Sequence, residues 1–166
     1  MRQGPEIWIR GPVAAPEPGP PEPAHASATA RRFSWVGTHG GAGVSTLAAV
    51  YGGQDCGRSW PGPADPASVL LVARTHAAGL EAAGRAVEVF RRGEAPSHLN
   101  LEAVVLVADA PGRLPRPLAH RIRPLESAVD LYRVPWVPAW RLGDLGGRTP
   151  RETAALARLT GAGAAR

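Results

Sequence analysis

Apolar positions along this chain fall into two kinds of pattern. Phe33 to Val36, Ser68 to Arg74 (SVLLVAR) and Leu101 to Ala108 (LEAVVLVA) are near-continuous β-prone runs, as in strands covered on both faces. Leu80, Ala83, Val87 and Phe90 recur at helical spacing and predict a helix from about Ala77 to Arg92. Thr75 or His76 can cap it, Glu81 and Arg85 add an i,i+4 pair, and Gly93 stops it. Leu47 to Tyr51 reads as the first turns of another helix, ended by Gly52 and Gly53.

The second half of the chain is more punctuated. Asp109-Ala110-Pro111-Gly112 is a turn at the carboxyl end of a strand. A short helix is expected from Pro115 to Arg123, broken by Pro124. A last strand lies within Asp130–Val137, with Pro135 placing it at an edge or shortening it. Thr149 as N-cap, Pro150 at N1 and Glu152 completing a capping box predict a C-terminal helix to about Leu159 or Gly161. This alternation implies an α/β domain: a mostly parallel sheet between two helical layers, joined by right-handed crossovers. The three apolar runs are its inner strands.

The 166 residues suffice for one such domain. Residues 1–31 are rich in Pro, Ala, Gly and Glu, lack apolar periodicity after Pro12, and read as a disordered tail. Ile7, Trp8 and Ile9 form one apolar island within it. The domain should span 32–160, leaving 161–166 as a flexible end. No run approaches about 18 uninterrupted apolar residues, so no membrane span is expected. A single cysteine, Cys56, cannot form an internal disulfide, and fits a reducing, cytoplasmic setting.

Charge adds a constraint on chemistry. The chain carries 19 basic residues, every one arginine, against 14 acidic ones, a net charge of +5. The Arg-, Ala-, Gly- and Pro-rich composition is that of a GC-rich genome, as in actinobacteria. The basic excess admits nucleic acid or an acidic partner. Arg113, Arg116, Arg121 and Arg123, with His120, follow Asp109 and read either as a solvated face or as a nucleic-acid surface. Trp136 and Trp140, with Pro135 and Pro138, make an aromatic patch fit for core packing or for a protein partner. His76, His98 and His120 have no metal-ligand spacing with Cys56, and there is no G-x-S-x-G elbow.

The segment Gly37-Thr38-His39-Gly40-Gly41-Ala42-Gly43-Val44-Ser45-Thr46 joins the first strand to the first helix. Glycines there let backbone N–H groups converge, and the helix adds its positive end, which together suit phosphate. The stretch resembles the deviant phosphate loop of MinD- and ParA-like ATPases, K-G-G-x-G-K-[ST], over Phe33 to Val50. The resemblance implies a P-loop-NTPase-like three-layer domain. It implies phosphate contacts from Gly40, Gly41, Ala42, Gly43, Val44, Ser45 and Thr46, ATP or GTP as ligand, and magnesium on Ser45. His39 and Val44 stand where that family has its two lysines. The strand that would carry its acidic Walker B residue is missing, leaving only the irregular stretch Gly52–Ala67. Asp109 in DAPG is a substitute candidate, and His39, Arg113 or Arg116 could partly supply the missing charge. Residues 33 to 144 as a whole are similar to an uncharacterised family of actinobacterial proteins, through the glycine loop, LLVARTHAAGL, LVADAPGRLPRPL and VPWVPAWRLG. Three readings follow: a non-hydrolysing binding or regulatory protein with an unidentified protein partner, a nucleotide hydrolase completed in trans, or a nucleic-acid accessory protein. The loop itself is either a weak phosphate cradle or a tight turn that binds nothing.

Overall fold

The structure, a computed structural model, describes residues 31–162; the expected tail and the final residues 163–166 lie outside them. Five parallel strands run β1 (Ser34–Gly37), β2 (Gln54–Asp55), β3 (Ser68–Arg74), β4 (Asn100–Val107) and β5 (Leu131–Val134). Their order across the sheet is β2-β1-β3-β4-β5. The three apolar runs are therefore the inner strands, as expected, and the Pro135-bounded strand is an edge. One irregularity interrupts the β3–β4 ladder between Val69 and Leu70, where Glu102 is the extra residue and its carboxylate pairs with Arg31 at 2.7 Å.

Helices cover both faces. Alternate strand residues Trp35, Leu70, Val72, Val105 and Val107 point into one layer with α1 (Val44–Tyr51) and α5 (Ala154–Thr160). Val36, Val69, Leu71, Val104 and Leu106 point the other way, onto α2 (Ala77–Arg91) and α3 (Arg116–Ala128). A short helix, α4 (Pro138–Arg141), follows β5. None of the described helices is long and apolar enough to cross a membrane.

Three local expectations are corrected. The stretch after α1 is not strandless: β2 pairs with β1 through Gln54 N–H to Phe33 O at 2.9 Å and Cys56 N–H to Trp35 O at 3.1 Å. It is two exposed polar residues long, so it carries no hydrophobic signal. α3 is not broken at Pro124 but continues to Ala128. Ile122 and Leu125, 0% and 4% exposed, anchor it on both sides of the proline, and that packing offsets the hydrogen bond proline cannot make. The C-terminal helix starts later than its cap pattern suggests. A 3-10 turn at Arg151–Thr153 precedes α5, and no side chain caps it. Thr153 is drawn inward instead: its hydroxyl donates to Pro150 O and accepts from the Tyr51 phenol, both at 2.7 Å. Burial pushes the Tyr51 phenol above its ordinary range, and the bond to Thr153 opposes this.

Candidate functional site at the carboxyl ends of the strands

In a parallel sheet of this order, chain connections leave in opposite directions between β1 and β3, and ligands bind in the crevice outside their carboxyl ends. The loop after β1 and the end of β3 meet there. Gly41 and Gly43 hold φ of +72° and +107°, conformations that L side chains avoid, and so turn the chain sharply from β1 into α1. Gly40 is exposed, Ala42 is buried, and no side chain caps the start of α1. Thr38 is tied to β3 by its N–H and hydroxyl, which donate to Val72 O at 2.9 and 3.1 Å.

The cation at this loop is Arg74, the last residue of β3. Its Nε donates to Gly41 O at 3.2 Å and one Nη to Ala108 O at 3.0 Å. The other Nη lies 3.8 Å from where a Cβ on Gly43 would stand. Burial, and then Arg141, disfavour the charged form of Arg74, while Asp109 favours it. Arg74, Gly43, Thr46, Trp136, Trp140 and Arg141 surround a cavity of about 230 Å³, whose lining contains no carboxylate. Trp136 and Trp140 thus belong to this cavity, with Trp140 also edge-on to Tyr51 at 6.5 Å. The Arg141 guanidinium lies over the Trp136 ring, 4.2 Å from its centroid.

Ser45 and Thr46 separate. Thr46 lines the cavity. Ser45 is exposed beside it and donates its hydroxyl to Asp55 Oδ2 at 2.6 Å, while Gly57 N–H holds the other oxygen of Asp55 at 2.8 Å. The carboxylate at the loop is therefore that of Asp55, which sequence reasoning missed. Asp109 lies beyond β4. Its N–H donates to Thr75 Oγ at 3.1 Å, and it lines a second cavity of about 490 Å³ on the α3 side of the sheet, together with Arg113. Arg113 is not at the glycine loop, and Arg116 is the exposed first residue of α3. Neither lines the smaller cavity; the charge there comes from Arg74 and Arg141. Arg74 was discoverable in principle, because it ends the strand that a doubly wound sheet sets beside the loop strand.

His39 and Val44, at the two lysine positions of the resembled pattern, are both committed to structure. His39 Nε2 accepts the Arg74 N–H at 2.9 Å, so its Nδ1 carries the proton and donates to Gly40 O at 2.8 Å. The ring packs on His76, 5.0 Å between centroids. His76 in turn caps α2, its Nδ1 accepting Gly79 N–H at 2.9 Å. Val44 is buried, with its methyl 3.0 Å from a Cβ position on Gly37. Cys56 is half-buried, and burial raises its thiol pKa, with the bond to Ser34 opposing this, so the reactive thiolate is disfavoured.

Gly79 locks this corner. A Cβ there would meet Arg74 O at 2.3 Å and His39 Nε2 at 3.0 Å. Gly79→Ala should therefore lower stability by about 1–3 kcal/mol, the usual range for overpacking. It should also displace Arg74. Urea denaturation and a crystal structure of the variant check both effects; unchanged stability would mean that α2 is seated more loosely than described.

The chain belongs to the family described as "Family of unknown function (DUF6668)", whose model matches residues 32–160. Compared with the curated proteins and with the solved structures, the chain matches none of them.

Proposed function

We propose that this chain is a phosphate-binding domain that does not hydrolyse nucleotides and that acts as a binding or regulatory protein for a protein partner. The observation that carries the reading is Arg74, fixed by two backbone carbonyls beside Gly41 and Gly43 and open to a cavity without acids. Glycine N–H groups at a helix start favour an anion, and a guanidinium held in place adds charge without further ordering. The likeness of the loop to MinD- and ParA-like phosphate loops agrees with this, and so does its place at the switch point of the sheet.

The Ser45–Asp55 pair favours a second reading, a nucleotide hydrolase that receives its missing cation from a partner. In P-loop enzymes a loop Ser or Thr and an Asp on the neighbouring strand hold magnesium. The donor set fits: Ser45 Oγ and the Asp55 carboxylate are hydrogen-bonded and exposed, and magnesium takes one or two such oxygens together with water and ligand phosphate. Bound there, magnesium would neutralise charge on a nucleotide phosphate.

A turnover assay of the full chain with Mg·ATP and Mg·GTP separates the two. We expect no hydrolysis above background. Phosphoryl transfer needs positive charge placed beside the transferred group and its leaving oxygen; Val44 brings none from within the loop, and Arg74 comes from the end of β3 and is held on the Gly41 and Ala108 carbonyls. Turnover that survives further purification and vanishes in Ser45→Ala would establish the second reading and sink the first.

A further inference from the structure

We propose that the ligand of this cavity is a compact phosphate, inorganic phosphate or a small phosphomonoester, and not a nucleoside triphosphate; the inference rests on the phosphate-binding reading above. Three observations converge on it.

The first is size. The cavity of about 230 Å³ is smaller than the roughly 300–1,000 Å³ of sites that enclose drug-sized ligands. Of the glycine loop and the first turn of α1, only Gly43, Thr46 and Leu47 line the cavity, and the Arg74 side chain lies against the loop on the bond to Gly41 O.

The second is charge. A phosphomonoester carries about −1.5 to −2 near neutral pH. Arg74 and Arg141 supply two positive charges, and among the described residues no carboxylate lies within ion-pair distance of either. Two guanidiniums match one phosphate. A triphosphate carries more charge than they can neutralise, and the chain has no lysine to add.

The third is the aromatic surface. A nucleobase is held by stacking on an open ring face. One face of Trp136 is already covered by Arg141 at 4.2 Å. Trp140 meets Tyr51 edge-on and packs against the core. The rest of the lining includes an apolar wall from Val107, Pro135 and Val137, against which a short organic substituent can pack.

The test is calorimetric titration of the full chain, at low and at physiological salt, with inorganic phosphate, phenyl phosphate, AMP, and ATP with and without Mg²⁺. We expect phosphate or phenyl phosphate to bind at least tenfold more tightly than ATP in either form. Arg141→Ala, a change at an exposed residue, should weaken that binding at least tenfold and leave the melting temperature of the unliganded chain in place. Arg74→Ala should weaken it at least as much but also lower the melting temperature, since the bonds to Gly41 O and Ala108 O are lost, and Arg74→Lys should recover part of the lost binding; circular dichroism confirms that each variant is folded. ATP binding more tightly than the compact phosphates would overturn this inference while leaving the phosphate-binding reading intact. Heat from none of these ligands would overturn both. Binding of phenyl phosphate that Arg141→Ala does not change would place the ligand elsewhere and end the proposal.

Discussion

Trp35→Ala should cost about 3–5 kcal/mol, the range for removing a large aromatic side chain from a packed core. Trp35 is 0% exposed at the centre of β1. Its ring meets Phe33 edge-on at 5.2 Å, and its indole N–H donates to Gly52 O at 2.7 Å. Gly52 is the residue that ends α1, so this one bond fixes the far end of the helix whose near end carries the glycine loop. The substitution removes both the packed ring and the donor, leaving a carbonyl short of a partner. Against a total stability of about 5–15 kcal/mol for an ordinary domain, the loss is a large fraction. Equilibrium urea denaturation measures it, with an unchanged slope as the sign that the unfolded state is not the cause. Trp35→Phe keeps most of the apolar area and loses only the bond, so it should cost much less. A loss below about 1 kcal/mol for Trp35→Ala would contradict the packing described between β1 and α1.

How far this architecture could be read from the sequence depends on how much apolar area each element buries. β1, β3 and β4 are buried on both faces, and their apolar runs announce them, Val, Leu and Ala in β3 and β4 and Phe33, Trp35 and Val36 at β1. α2 shows its buried stripe at Leu80, Ala83 and Val87. β2 has no such signature. Its place is set by backbone bonds to Phe33 and Trp35, which any residues can make. With β2 invisible, Asp55 was invisible too, and Asp109 was the remaining candidate for the acidic partner of Ser45. The C-terminal cap pattern failed for a tertiary reason: Thr153 serves the buried Tyr51 phenol, and that contact outweighs a local capping box. The arginines that follow Asp109 stood out because they cluster in sequence. Arg74 and Arg141, 67 positions apart by number (141 − 74), are brought to one cavity only by the sheet.

The same contrast between pattern and packing decides what a lysine at position 44 would do. Comparison with K-G-G-x-G-K-[ST] suggests that Val44→Lys restores a phosphate loop. The structure leads to the opposite expectation. Val44 is 8% exposed, and its side chain packs in the α1 layer with Trp35 and Leu47 rather than over the loop. A lysine would either bury its ammonium, at an effective cost of several kcal/mol, or turn outward and leave the core underfilled. Turned outward, it would set a positive charge at the positive end of α1, in the same small region as the Arg74 guanidinium. Val44→Lys should therefore lose about 2–4 kcal/mol of stability and gain no affinity for Mg·ATP. Val44→Met, of similar length and uncharged, separates the effect of bulk from that of charge: most of the loss should be absent from it. Thermal unfolding of the three proteins, alone and with Mg·ATP in excess, supplies both readouts. A stable Val44→Lys chain whose unfolding temperature rises with Mg·ATP would show that the loop has kept the shape of a nucleotide cradle and lacked only its charge. A destabilised, ATP-indifferent variant means that Val44 helps hold β1 to α1, and that the positive charge at this site is supplied from β3 by Arg74.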